Sequence, residues 1–213
     1  EISLGLVGSE MCIRDSYETD TLKDLYMYNM GNVILQVTQN CNLRCEYCVY
    51  SGSYINRVHT NKRMSFETAV KTIDFLAAHS LNCNEVSIGF YGGEPLLEIE
   101  LIKKAVSYAK EVFGEKKVNF NMTTNATLLN MDIADFLVQN DFNITISLDG
   151  PRNIHNKNRI FANSNKGTFD LIMENIALIR EKYPFFDKKI SFNAVIDLKQ
   201  NVSCTNEFFL NYD

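Results

Sequence analysis

What the 213-residue sequence lacks narrows it first. No apolar run approaches the roughly 18 residues that cross a bilayer, and no charged segment followed by an apolar one marks a secretory signal. Positive charge is neither in excess nor blocked. With 21 Lys and Arg against 26 Asp and Glu, the formal net charge is -5, and scattered basic residues leave no footprint for nucleic acid or an anionic membrane surface. The six cysteines do not form the layout of a secreted disulfide framework: three sit in one short stretch, while Cys12, Cys83 and Cys204 lie far apart. A reducing, cytoplasmic compartment is expected, with no nucleic-acid and no membrane partner.

The two ends add little. Residues 1–16, EISLGLVGSEMCIRDS, read as a non-native or disordered N-terminus, similar to translated adaptor sequence, and carry no function. Ser203 to Asp213 opens a helix without a cap or a closing element. Residues 17–213 are therefore taken as one core, incomplete at its C-terminus. With 46% hydrophobic residues, it can bury the interior of a mid-sized domain.

Within that core, strand and helix patterns alternate. Val33 to Val37 is apolar and β-branched, inside a strand reading of Asn32 to Thr38. Ser65 to Ala78 has apolar residues at helical spacing and opens on a capping serine. Glu85 to Tyr91, Val118 to Thr123, Asn143 to Leu148 and Ile190 to Ile196 read as four further strands. Ile99 to Phe113, Met131 to Gln139 and Phe169 to Lys182 read as helices. Such alternation predicts an α/β fold of repeated βαβ units, either an open doubly wound sheet or a whole or partial barrel. Either architecture places ligands at the carboxyl ends of its strands. Each conspicuous cluster follows a strand: the cysteines the first, Gly92-Gly93-Glu94-Pro95 the second, Thr123-Thr124-Asn125 the third, and Ser147-Leu148-Asp149-Gly150 the fourth.

The cysteines Cys41, Cys45 and Cys48, spaced C-x3-C-x2-C, are the strongest signal. Thiolates select zinc or iron-sulfur clusters, and a structural zinc site is normally closed by four protein ligands. Only three are local. His59 could complete a zinc site, although it lies eleven residues beyond Cys48. Three cysteines on a 4Fe-4S cube instead leave one iron open. Gly92-Gly93-Glu94-Pro95 could equally be a tight turn into the next helix. Asp149-Gly150-Pro151 reads as a loop-shaping turn, and His155 as a loop histidine that either bonds backbone or meets substrate. Cys83 reads as a packed free thiol; nothing around Cys204 marks it as reactive.

Taken together, C-x3-C-x2-C with Tyr47 before its last cysteine, GFYGGEPLL after the second strand, TTNATLL at 123–129 and ISLDGPRNIHNKNR at 146–159 resemble the radical S-adenosylmethionine enzymes. The resemblance covers about residues 31–200. It points to the branch that matures peptides and proteins, including thioether-forming peptide maturases and anaerobic sulfatase-maturing enzymes. It implies a partial (β/α)6 TIM-like barrel, five of whose six strands are present. Cys41, Cys45 and Cys48 would hold a 4Fe-4S cluster, and S-adenosyl-L-methionine would chelate its open iron. Gly92, Gly93 and Glu94 would hold the methionine, Asn125 and Ser147 the ribose or methionine, and Arg159 the cofactor carboxylate. Tyr47 would lie along the adenine, and Val195 would close the base pocket.

The activity so implied is reductive cleavage of S-adenosylmethionine to a 5'-deoxyadenosyl radical that takes hydrogen from a peptide. The electron would come from a donor such as flavodoxin or ferredoxin. The substrate would be a short Cys-containing ribosomal peptide, joined through a thioether, or else a sulfatase converted to its formylglycine form. A zinc-binding domain without catalysis is the alternative from another class. Relatives of this kind carry a cysteine-rich C-terminal extension called SPASM, which the sequence lacks. The chain thus reads as part of a longer maturase, one that need not be a competent enzyme by itself.

Overall fold

The computed structural model describes residues 22–24, 27–50, 54, 59–197 and 202–212. The expected non-native segment, residues 1–16, lies outside the described residues.

Five strands, β1 (Asn32–Thr38), β2 (Glu85–Gly92), β3 (Lys117–Thr124), β4 (Asn143–Ser147) and β5 (Ile190–Asn193), form one sheet in the order β1-β2-β3-β4-β5, and every neighbouring pair is parallel. That order decides between the two expected architectures. Parallel neighbours joined in sequence by right-handed crossovers put every connecting helix on the same face. An open doubly wound sheet needs a point where the order reverses, and this sheet has none. The strands are a partial TIM-like barrel.

The connecting helices are α1 (Phe66–His79), α2 (Ile99–Phe113), α3 (Met131–Gln139), the short α4 (Arg152–Asn158), α5 (Phe169–Lys182) and, after β5, α6 (Val202–Leu210). Local chemistry sets their ends. The Ser65 hydroxyl accepts from Thr68 N–H at the start of α1, and Asn130 Oδ1 accepts from Ile133 N–H at the start of α3. Gly114 closes α2 at φ 56°.

One sheet face is apolar and covered. Leu35, Val37, Val86, Ile88, Phe90, Phe120, Met122, Ile144 and Ile146 join Ile73, Ile102, Leu137 and Ile176 of the helices in a single buried cluster. Phe90, Phe120 and Phe142 stack within it at centroid separations of 5.4 to 6.4 Å. The opposite face is the inside of the barrel, and it is largely polar. Asn121 donates to Ser87 at 2.6 Å, Asn143 donates to Asn121 at 3.2 Å, and the Thr145 and Ser191 hydroxyls pair at 3.1 Å.

Several boundaries differ from the sequence expectation, most by a single residue, the following three among them. Helix α4 falls within the stretch read as loop, because seven residues opened by Pro151 are too short to show a period. The fourth strand ends at Ser147, one residue before the expected Leu148. The fifth ends at Asn193 rather than Ile196, because Val195 N–H leaves the ladder to donate to the Asp149 carboxylate at 3.0 Å.

Candidate active site

The carboxyl ends of the strands open onto a cavity of about 220 Å³. Cys41, Cys45 and Cys48 line it together with Tyr47, Gly92, Gly93, Asn125, Ser147, Arg159 and Val195. Of the residues singled out from sequence for cluster and cofactor, only Glu94 is absent from the wall. It lies beneath, completely buried.

The cysteine loop leaves β1 and is held from three directions. Backbone bonds stitch it to the end of α4 and the segment after it: Arg44 N–H donates to Ile160 O at 2.9 Å, Glu46 N–H to Asn158 O at 3.2 Å, and Ala162 N–H to Asn42 O at 2.9 Å. The turn after β2 holds its entrance, with Gly93 N–H on Thr38 O and Glu94 N–H on Asn40 O, both at 2.9 Å. The end of β3 grips it through side chains. Asn125 Nδ2 donates to Asn42 Oδ1 at 2.9 Å, Asn42 Nδ2 donates to Thr127 Oγ1 at 2.8 Å, and Asn125 Oδ1 accepts from the Thr127 amide and hydroxyl at 3.0 and 2.7 Å. The loop is thereby tied to three separate parts of the chain.

Glu94 explains how the second and third strand ends are tied. Its Oε1 accepts from Leu96 N–H at 3.0 Å and from the Thr124 hydroxyl at 2.7 Å, and its Oε2 accepts from Asn125 N–H at 2.7 Å. Burial raises the pKa of this carboxyl above its ordinary value, against the pull of those three donors. The arrangement fixes Asn125 at the rim. The glycines before Glu94 are also explained locally. A Cβ on Gly92, at φ 145°, would run into the Thr38 carbonyl oxygen, and one on Gly93 into the Asn40 carbonyl oxygen.

On the other wall, Asp149 is a hub. Its Oδ2 accepts from Arg159 Nε at 2.9 Å and from the Tyr47 hydroxyl, while Oδ1 takes Val195 N–H at 3.0 Å. The Arg159 guanidinium also lies over the Tyr47 ring, 5.5 Å from its centroid. Sequence reasoning took Asp149 for a turn residue and missed Asn42 and Thr127. Asp, Asn and Thr are common in loops for purely local reasons; the asparagine inside the cysteine motif was the only available signal.

His155 does not face the cavity. It is fully buried, its Nδ1 accepts from Asp149 N–H at 3.3 Å, and its Nε2 lies 2.8 Å from the Thr168 hydroxyl, which donates in turn to Arg159 O. With Nδ1 accepting, the neutral ring carries its proton on Nε2. Burial, reinforced by the Arg159 charge and opposed by Asp149, lowers its pKa to about 4 from 6.5. The unfolded chain therefore binds this proton between pH 6.5 and 4 while the folded chain does not. Stability from this residue is present above pH 6.5 and falls as the pH drops through that window, by about 3 kcal/mol in all. Urea unfolding at a series of pH values should show a shallower acid loss in His155→Gln than in the parent. Equal slopes would sink the assignment.

The thiols suit a soft metal group. Burial pushes Cys41 up to about 12 and Cys45 up to about 11, with Arg159 opposing the shift at Cys45, so binding must displace protons. Among the described residues, no three His, Cys, Asp or Glu side chains converge as a single metal ion requires. His59 is not turned toward the thiols either: its Nε2 lies 3.1 Å from Arg44 Nη2 and its Nδ1 3.3 Å from Tyr50 O. Since a guanidinium can only donate, that Nε2 lone pair is used. The donor set fits a polynuclear cluster held at three corners better than zinc.

A family model described as the radical SAM superfamily matches residues 35–208. The chain is 33% identical over 180 residues to a cysteine-type anaerobic sulfatase-maturating enzyme of Clostridium novyi (strain NT), covering 83% of this chain and 46% of that enzyme. It is 25% identical to the radical SAM cyclopropyl synthase TigE of Paramaledivibacter caminithermalis, covering 78% and 38%. Among solved structures, native anSMEcpe with bound AdoMet superposes with a TM-score of 0.70 at 27% identity, over 84% of this chain and 48% of that one. The chain spans about half the length of two curated relatives it matches, 51% and 46%. Among the described residues, no helix is long and apolar enough to cross a membrane.

Proposed function

The chain belongs to the radical SAM superfamily, and from that premise we propose that it is the core of an enzyme that matures a peptide or protein. Cys41, Cys45 and Cys48 would hold a 4Fe-4S cluster, with S-adenosylmethionine beside it in the cavity. The observation that carries this reading is the convergence of the three thiols with four strand ends on one cavity. Bound there, cluster and cofactor together supply one-electron cleavage of a sulfonium and abstraction of a hydrogen atom from the substrate.

The chain's own residues do the positioning. Gly92 and Gly93 bring backbone to the cavity wall, and Glu94 holds that turn to Thr124 and Asn125 from below. Ser147, Tyr47 and Val195 present a hydroxyl, a ring and an apolar side chain on the wall for the nucleoside portion. Arg159 places a guanidinium where a carboxylate can meet it. Leu43 and Val49 add apolar lining that restricts water.

The substrate reading is a Cys-containing peptide segment, crosslinked through its sulfur. A second reading, oxidation of a sulfatase cysteine to formylglycine, is favoured by the identity to sulfatase-maturating relatives. Anaerobic reconstitution with iron and sulfide is expected to give a brown protein whose reduced cluster changes its EPR spectrum on adding S-adenosylmethionine. Tight retention of zinc, or a cluster spectrum indifferent to the cofactor, would overturn the proposal. Mass analysis then separates the substrates: a crosslink removes two hydrogens and keeps the sulfur, whereas conversion of cysteine to formylglycine removes two hydrogens and also replaces the sulfur by an oxygen.

A further inference from the structure

Each of the three cysteine sulfurs faces a hydrogen-bond donor, and the donors are of two kinds. Leu43 N–H points at Cys41 Sγ and Tyr50 N–H at Cys48 Sγ, both at 3.4 Å. These are neutral backbone amides two residues further on, and Cys41 Sγ also faces the neutral side-chain amide of Asn125 at 3.8 Å. At Cys45 the donor is the Arg159 side chain, a full positive charge from a segment 114 positions away in sequence. Its exposure is 9%, and that of its partner Asp149 is 1%. Asp149 is in turn fixed by Tyr47 and by Val195 N–H, which leaves the pair little freedom to move. A paired cation and anion, both shielded from water, thus stand on the Cys45 side of the cavity, where their fields are weakly screened.

We propose that Asp149 and Arg159 form a field-setting pair for the cluster: the guanidinium lies against Cys45, the carboxylate lies against the guanidinium, and the two charges pull the cluster's reduction potential in opposite directions. The inference rests on the assignment of Cys45 as a cluster ligand. On reduction, one electron from an external low-potential donor makes the cluster more negative by one charge. A fixed cation beside a ligating sulfur stabilises that added charge, as do hydrogen bonds to the sulfur. A fixed anion in the same place opposes it. Asp149→Asn keeps one side-chain oxygen able to accept from Arg159 Nε, so that variant removes the negative charge while the guanidinium keeps an acceptor.

The test measures midpoint potentials of cluster-loaded protein without S-adenosylmethionine, by stepwise reduction followed by EPR, with iron content checked for each variant. Arg159→Gln is expected to move the potential down and Asp149→Asn to move it up, each by at least tenfold in the reduction equilibrium, about 59 mV for one electron. The double variant Asp149→Asn/Arg159→Gln should lie nearer the parent than either. Shifts in the same direction, or shifts below that size at full iron content, overturn the inference. An unpaired buried charge could cost a single variant its cluster. Arg159→Lys, which keeps both charges, and the double variant then stand in, and a tenfold departure of either from the parent overturns it. A parent that binds no cluster would refute the functional reading instead, a separate outcome visible before any variant is made.

Discussion

Replacing Gly93 by Ala is expected to destabilise the chain by about 3 kcal/mol and to prevent it from holding a cluster. The new methyl would occupy the space of the Asn40 carbonyl oxygen, with the Gln39 carbonyl close behind. Neither is a side-chain end that can rotate away, so the strain belongs at the upper end of the 1–3 kcal/mol typical of overpacking. Relief requires the turn after β2 to separate from the entrance of the cysteine loop. That breaks the bonds from Gly93 to Thr38 and from Glu94 to Asn40, each contributing about 1 kcal/mol. Cys41 follows directly on Asn40, so the cost falls on the site itself. In a chain of this size the melting temperature should drop by roughly 6–12 °C. Gly89→Ala is the control, because its Cβ would meet Ile34 Cγ1 at 3.4 Å and the backbone of Val33 and Ile34 only at 3.8 and 3.9 Å, ordinary contact distances; a change within about 1 kcal/mol is expected there. If Gly93→Ala melts with the parent and binds a full complement of iron, the account of the turn is wrong.

Gly93 also illustrates what the sequence could and could not convey. That residues 92 and 93 must lack side chains was legible from the motif. The groups that demand it, two carbonyls of the cysteine loop some fifty residues earlier, were not, because close approach of separate segments leaves no local mark. The βα alternation was legible almost to the residue at β1 and α2, where apolar periodicity is undiluted. It failed at α4, which is too short for a period, and at the end of β5, where a carboxylate from another loop captures the backbone. Asp149 is the clearest case. Beside Gly150 and Pro151 it looks like any turn residue, yet the three partners of its carboxylate come from the cysteine loop, the segment after α4 and the segment after β5. Only the folded order of the strands brings those together. The choice of barrel over doubly wound sheet was likewise open until the strand order was known, since both are written in the same alternation.

The sharpest separation of site from scaffold should come from two cysteines of the same chain. Cys45→Ala is expected to abolish the brown absorbance and reduce bound iron severalfold, while Cys83→Ala leaves both unchanged. Cys45 is 6% exposed and lines the cavity. Cys83 lies before β2, in a turn where its amide donates to Ser80 O at 3.0 Å and its sulfur sits beside Gly31, at the opposite end of the sheet. Loss of the cluster in Cys45→Ala should not be a loss of fold. Removing one sulfur from a half-polar wall costs roughly 1 kcal/mol, and Arg159 keeps Asp149 as its buried partner, so no charge is stranded. The circular dichroism of the two metal-free variants should therefore match the parent. Equal iron in both variants would mean that Cys45 is not a ligand. Equal loss in both would mean that cluster content reports general stability, and the three thiols at the mouth would then have no special claim to it.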